Sequence, residues 1–353
     1  MRSLLKDPPR KLKQNLKIDT FTLFLSSGWS NETPGMLKAC QALENIRKFK
    51  YLHPLPLSSV WPSTRRSAVL VLLFIGHKGE LRVLLTKRSR GLSSFSGHVS
   101  LPGGKADDEK ETFEQVARRE SEEEIGLPRS AEILHKQFGM KIDNLTGQMP
   151  CYLSRTFLSV KPMVCFLHND NSKGNTPLDA TRFFGKLNPG ETASIFSVPL
   201  NDLVYHLFPQ GQEYKPEYVE RRESIRRWGG LRWPIGHYYY PIDNPHDVAW
   251  LNVIEDTSSA DELEEDSTCR DLWGLTAKIL FDLSRIANGV TDNNDLDMGN
   301  EELLYGLHEF ANQLQPGKRS DWEIGMITGE AGFKYKDVRP GYYLEQLKRC
   351  TKY

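Results

Sequence analysis

The 353-residue sequence has no CxxC pair, and its five cysteines (Cys40, Cys151, Cys165, Cys269, Cys350) are far apart and odd in number. That argues against a zinc site and against a disulfide-stapled secreted scaffold, and fits a reducing compartment. Net charge is also missing: 46 Lys and Arg balance 46 Asp and Glu. No global field draws the chain to nucleic acid or an acidic membrane, so no nucleic-acid partner is expected and ionic recognition has to be local. Long apolar runs are absent. The longest, AVLVLLFIG from Ala68 to Gly76, is too short to span a bilayer and reads as a buried strand. Targeting signals are equally scarce. The basic start MRSLLKDPPRKLKQNLK is interrupted by Asp7, Pro8 and Pro9, and the terminal RCTKY is not a peroxisomal S-K-L tripeptide.

What remains is ordinary for a folded α/β chain, with 39% apolar and 26% charged residues and no internal repeat. Residues 1–64 read as an N-terminal extension: a basic start, a possible helix over MLKACQALENIRKF, then the Pro-rich HPLPLSSVWP. Strand signals begin at Ser67, where SAVLVLLFIG and ELRVLLTKR flank HKGE, a hairpin turn by length and chemistry. A helix is expected from about Glu111 to Ile125, stopped by Gly126 and Pro128. VKPMVCFL, ASIFSVPL and HYYYPI read as strands, NDLVYHLF as helix-like, and DLWGLTAKILFDLSRIANG as an amphipathic helix. PEYVERRESIRRWGGLRW is basic and aromatic and reads as a solvated, partly packed segment, and the acidic stretch Glu255 to Asp271 as a solvated loop. The expected organisation is a 65–289 domain followed by a 290–353 tail with one helix around NEELLYGLHEFANQL.

The stretch VARRESEEEIGL, 116–127, holds four glutamates within five positions near a helix C-terminus, where the dipole disfavours negative charge. On a wheel of about 100° per residue, Glu114, Arg118 and Glu122 fall on one side as a solvent-facing ion-pair ladder. Glu120, Glu123 and Glu124 fall with Phe113, Val116 and Ala117 on the apolar stripe. Carboxylates there are costly unless paired or bound to a cation. Arg119 reaches Glu123 at i+4, but one arginine is not expected to neutralise three carboxylates. An oxygen-only ligand set selects Mg²⁺ or Mn²⁺ over zinc. The alternative is an acidic exposed helix end, and composition alone does not separate the two.

Spacing adds to this. Glu111 stands seven intervening residues before Arg119-Glu120, and the run R-E-S-E-E-E-I-G-L follows. The pattern resembles the Nudix box, G-x5-E-x7-R-E-U-x-E-E-x-G-U. Two positions depart from it: Ser121 stands where an aliphatic residue is usual, and Gly104 lies one residue too early, leaving Lys105 in its slot. The extra residue in a PGGKxD setting is typical of the coenzyme A diphosphatase branch. LLTKRSRGLSSFSGHVSLPGGK, 84–105, resembles that branch's signature, with Leu101 for the usual Phe. FSVPLNDLV and WGLTAKIL are similar to its late segments. The likeness covers about residues 65–288, and is strongest to fungal peroxisomal members, which also carry a long C-terminal part.

The resemblance implies a Nudix fold, a mixed β-sheet sandwiched between helices, here with N- and C-terminal extensions. It implies Mg²⁺- or Mn²⁺-dependent hydrolysis of coenzyme A to 3′,5′-ADP and 4′-phosphopantetheine. Glu120, Glu123, Glu124 and Glu111 become the expected metal ligands, Glu120 or Glu123 the base, and Arg119 the residue that orients them. Arg88, Ser89, Gly103, Gly104 and Lys105 become the expected substrate contacts, with Glu191 a further candidate base and His98 a minor candidate contact. It implies a peroxisomal location, with cytoplasm or mitochondria as alternatives. A diphosphatase for oxidised nucleoside triphosphates or other nucleoside diphosphate derivatives, and a non-catalytic coenzyme A or nucleotide binder, are the competing readings.

Overall fold

A computed structural model of the protein describes residues 39–51, 63–92, 95–146, 148–169, 178, 187–188, 190–209, 213–248, 250–251, 268–290, 298–311, 317–341 and 344–345. The basic N-terminal start, HPLPLSSVWP, residues 255–267 of the acidic stretch and the terminal RCTKY lie outside them.

The apolar run that opens the 65–289 region forms β1 (Arg66–Ile75), which turns through Gly76–Glu80 into antiparallel β2 (Leu81–Arg88). β1 also pairs in parallel with β7 (Ser159–Asn169) over eight register positions. Around these lie β3 (Val99–Ser100) and β8 (Thr192–Pro199) on β2, β4 (Gly103–Lys105) on β1, and β5 (Met140–Thr146) and β6 (Tyr152–Leu153) on β7. The sheet is therefore mixed, as expected. β1 contributes Val71, Leu73 and Ile75 to one core and Ala68, Leu70, Leu72 and Phe74 to another. Burial on both faces is why the sequence there is a continuous apolar run instead of an alternating one.

Helices cover both faces. On one lie α1 (Ala39–Lys48) and α4 (Gly274–Ala287), joined by Asn45 Nδ2 donating to the Ala287 carbonyl at 2.9 Å. On the other lie α2 (Phe113–Ile125) and α3 (Ala131–Phe138), which supply Val116, Ala117, Ile125 and Leu134 to the second core. NDLVYHLF belongs to a 3-10 helix, Leu200–Leu207. Among the described residues no helix is long and apolar enough to cross a membrane.

The basic-aromatic segment is solvated and partly packed, as expected: most of its first strand is exposed, while Trp228 and Trp233 pack against buried residues. It forms a hairpin of β9 (Glu220–Trp228) and β10 (Leu231–Pro241), turned at Gly229 and Gly230, both with positive φ. β11 (Cys269–Trp273) completes a three-stranded antiparallel sheet. The sequence reading places Cys269 to Asp271 in the acidic loop and Asp271 to Trp273 in the following helix; the structure makes them one strand.

After residue 290 the described chain contains the α-helices α5 (Glu301–Phe310) and α6 (Asp321–Thr328) and a 3-10 turn at Tyr335–Asp337, where one helix was expected. Helix α6 has a nearly unpatterned apolar composition, and its burial comes from the hairpin it meets. Leu304, Leu307, Trp322, Met326 and Tyr335 form a third core with Phe157 and Leu231. Phe157 lies between Trp228 and Trp322, with ring centroids at 5.2 and 5.4 Å. Arg65, just before β1, pairs with the fully buried Glu323 of α6 at 3.0 Å. Removing one member of a buried pair strands the other charge, at about 3–5 kcal/mol. Glu323→Ala is therefore expected to lower urea-unfolding stability by roughly that amount; a change under about 1 kcal/mol would mean the tail does not brace β1.

Candidate active site

Helix α2 is built to hold its own ends. Thr112 caps it, accepting from the Gln115 amide, while Gln115 returns the bond to the Thr112 amide. Gly126 at φ 73° ends it, its amide donating to the Glu122 carbonyl. The helix thus begins at Phe113, and Glu111, expected within it or at its cap, is outside it and free for other partners.

The buried face is rotated by about 60–80° from the stripe read off the sequence at about 100° per residue. It carries Val116, Ala117, Arg118, Ser121, Glu124 and Ile125. Two expectations are corrected by this. Arg118 is not on a wet ladder with Glu122: it is buried and its Nη2 donates to the carbonyls of Pro128 and Arg129. Glu122 pairs instead with Arg129, and Glu114 accepts from Asn144. Glu123, expected on the buried stripe, has its side chain 46% exposed at the flank. Ser121, the departure from an aliphatic residue, is fully buried and donates to the Ala117 carbonyl at 2.6 Å. A small side chain that satisfies its own hydroxyl fits there without a void.

Helix α2 lies against β4, and the two glycines explain how closely. A Cβ on Gly104 would sit 2.1 Å from Glu120 Oε1, and one on Gly103 would sit 2.3 Å from the Ala68 carbonyl. Only a bare backbone lets the glutamates reach the sheet edge. Glu124, 4% exposed, accepts from the Gly103 amide at 3.2 Å and faces Arg88 of β2 at 3.8 Å. Burial pushes the Glu124 carboxyl up to about 8, outweighing the attraction of Arg88. Glu120 is raised as well, again by burial first. Glu191 adds to both shifts, and its backbone carbonyl accepts from the Ser89 amide at 2.9 Å.

Arg119 gathers more carboxylates than expected. Its Nε donates to Glu111 at 2.8 Å, and its Nη1 to Glu120 at 3.0 Å and Glu123 at 3.3 Å. Its Nη2 donates to the Lys105 carbonyl at 2.9 Å and to Glu111 at 3.2 Å, and Asp107 lies 3.3 Å from Nε. Five donors on a rigid fork make this possible. This guanidinium holds the Glu111 carboxyl below its usual range. Asp107 has no place in the box itself; it is the acidic residue of the PGGKxD setting, and the sequence reading gives it no role.

The remaining expected contacts line the same edge. Ser89 is buried, its hydroxyl accepting from the Gly91 amide at 3.4 Å, while the Lys105 side chain is exposed. Arg88 Nε makes no hydrogen bond among the described residues, and its backbone amide donates to the His98 carbonyl at 2.9 Å. His98 is lowered from its ordinary value, by burial first. Buried carboxylates with raised pKa values and oxygen-only donors fit a hard divalent cation in chemistry. Among the described residues, no three such side chains converge on one point. The reason is visible: Arg119 draws Glu111, Glu120 and Glu123 to itself while Glu124 turns to Gly103. A cleft of about 840 Å³ opens beside Asp107, Glu111 and Arg119 at the start of α2, and Arg88 is not among the residues that line it.

The NUDIX domain model matches residues 64–221. Peroxisomal coenzyme A diphosphatase 1 of Saccharomyces cerevisiae is 58% identical over 89% of this chain and 97% of its own length. The chain belongs to the Nudix family. Among further relatives, Nudix hydrolase 15, mitochondrial, of Arabidopsis thaliana is 35% identical over 53% of this chain and 54% of its own length. The uncharacterized Nudix hydrolase NudL of Photorhabdus laumondii is 30% identical over 52% of this chain and 88% of its own. The protein is thus a Nudix hydrolase, and Nudix hydrolases generally need a divalent metal ion. The acidic helix is the box helix, and β4 supplies its glycine-rich approach.

The raised Glu124 pKa sets a pH dependence for the metal-free protein. A carboxyl raised from 4.5 to about 8 on folding stabilises the fold fully below pH 4.5 and loses that contribution as pH rises through about 8. In EDTA, Glu124→Gln and the parent chain are expected to melt alike at low pH, and the variant to melt higher in mild alkali. Equal melting temperatures at both ends of the range would contradict the burial argument.

Proposed function

We propose that this Nudix hydrolase cleaves the diphosphate bond of coenzyme A, giving 3′,5′-ADP and 4′-phosphopantetheine, with Mg²⁺ or Mn²⁺ as its metal. The observation that carries the reading is the meeting of two sequence motifs in space. Arg88, from the stretch that resembles the coenzyme A signature, faces Glu124 of the box helix at 3.8 Å. The 58% identity to a coenzyme A diphosphatase along nearly all of that protein's length supports the same substrate.

Glu120, Glu123 and Glu124 would hold the metal, with Glu111 as an outer contact. When bound, the metal supplies Lewis-acid polarisation of the diphosphate. The chain's own residues do the rest. Arg88, with an unpaired Nε, offers a planar fork to a phosphate oxygen pair. The backbone of Gly103 and Gly104 admits the diphosphate closely, and Ser89 and Lys105 flank it. Water attacks one phosphorus, the bridging P–O bond breaks, and the water proton passes to Glu120 or Glu123. Arg119 is a positioning residue: it holds Glu111, Glu120 and Glu123 in one fan. Residues 65–289 form the catalytic domain, with 1–64 and 290–353 as extensions, and the peroxisome is the location.

Full-length protein loaded with Mg²⁺ or Mn²⁺ is expected to release 3′,5′-ADP from coenzyme A. Glu124→Gln should lower kcat by about 10²-fold or more with the fold retained, and Arg88→Ala should chiefly raise KM. Product identification across free, oxidised and acylated coenzyme A and oxidised nucleoside triphosphates decides the substrate. A higher kcat/KM on the triphosphates, or no turnover of any coenzyme A species, would sink the assignment.

A further inference from the structure

Arg88 does not stand alone on its side of the sheet. β2 and β3 pair antiparallel, with Thr86 opposite Ser100 and Lys87 opposite Val99. The Arg88 amide donates to the His98 carbonyl at 2.9 Å, which carries the pairing one position further. Side chains alternate along a strand, so directly opposed residues share a face. Thr86 and Ser100 show this, with their hydroxyls 2.9 Å apart, and two residues on Arg88 and His98 share that face again. It is the face turned to helix α2. Leu84, in step with Thr86 and Arg88, packs there with Val116 and Ala117, and Arg88 meets Glu124. The imidazole is therefore the cross-strand neighbour of the guanidinium, at the edge where the carboxylates lie.

The rings around His98 fix it without using its nitrogens. Phe95 meets it at 5.8 Å and Trp273 at 5.2 Å between ring centroids. Trp273 is itself stacked on His237 at 5.4 Å, and His237 is held by Asp271 at 2.9 Å. Aromatic packing of this kind sets where a ring sits and leaves its polar atoms to find other partners. His98 is half-buried, and its ring makes no hydrogen bond among the described residues. Arg88 Nε likewise makes none. Burial holds the His98 ring toward its neutral form; Asp271 works against this and Arg88 works with it. A neutral imidazole keeps one N–H to donate and adds no second cation beside Arg88. A charged fork and a neutral donor side by side suit an anion with several oxygens, as a diphosphate has.

We propose that His98 is a second substrate contact: its ring N–H donates to an oxygen of the diphosphate that Arg88 holds, and so sets affinity for that group. The inference rests on the diphosphate lying at Arg88, as in the function proposed above, and not on coenzyme A being its carrier.

Two substitutions separate the N–H from the ring. His98→Phe keeps a ring against Phe95 and Trp273 but has no donor; His98→Gln keeps a donor and loses the ring. The probe is imidodiphosphate in Mg²⁺, titrated into the full chain by calorimetry, alongside coenzyme A kinetics and thermal melting. His98→Phe is expected to weaken imidodiphosphate about tenfold and to raise KM for coenzyme A by a similar factor. Its kcat at saturation and its melting temperature should hold. His98→Gln should keep most of the affinity and melt lower, because stability follows the ring and binding follows the N–H. The reverse order, with affinity kept by His98→Phe and lost by His98→Gln, assigns His98 to packing alone and overturns the contact. An equal loss in both variants, or a loss in neither, overturns it too. If His98→Gln does not fold, His98→Phe decides alone: a loss of affinity supports the contact and unchanged affinity refutes it. A wild-type chain that does not bind imidodiphosphate also refutes it. A wild-type chain that binds the probe, loses it in His98→Phe, and yet cleaves no coenzyme A overturns the choice of coenzyme A and leaves the contact standing.

Discussion

The structure turns on one costly placement, a carboxylate buried between a helix and a glycine edge. Glu124 is enclosed on helix α2, accepts one backbone hydrogen bond from Gly103, and meets Arg88 only at ion-pair distance. That is too little to offset burial, and the raised pKa expresses the deficit. Everything around it serves to keep the arrangement from relaxing. The two glycines hold β4 against the helix, the reciprocal cap at Thr112 fixes where the helix starts, and Arg118 ties its far end to the following turn.

Arg119 resolves the apparent excess of charge in the box helix without removing it. One guanidinium shared among Glu111, Glu120 and Glu123 leaves each carboxylate partly satisfied and none of them buried with an exclusive partner. Glu111 is held bidentately through Nε and Nη2, while Glu120 and Glu123 share Nη1 and can give up contacts singly. Glu124 stands outside it and is the carboxylate with most to gain from a positive ion.

The region after residue 290 contributes in the same way. Its helices carry no chemical motif, yet Glu323 pairs with Arg65 immediately before β1, and Trp322 and Met326 close a core on the β9–β10 hairpin. The hairpin in turn carries the sheet whose outer rings adjoin His98. Tail, hairpin and α2 are linked by packing through β1, although dozens of residues separate each from the next in sequence.

The sequence by itself determined the class of the molecule. The buried strand at 68–75 follows from an unbroken apolar run, the end of α2 from Gly126, and the grouping of Glu111 with Arg119 and Glu120 from the spacing between them. These are local signals, within reach of one element or two neighbours. Tertiary structure alone decided the rest. The face of α2 that is buried depended on the angle at which β1 and β4 receive it, so Glu123 lies at the rim and Arg118 inside, against the wheel's expectation. Arg119's choice of Glu111 over an exclusive i+4 pair, the pairing of Arg65 with Glu323, and the alignment of Trp273 with His237 each join residues whose proximity no period encodes. Sequence spacing fixes what one element presents; the packing of elements against each other fixes what it meets.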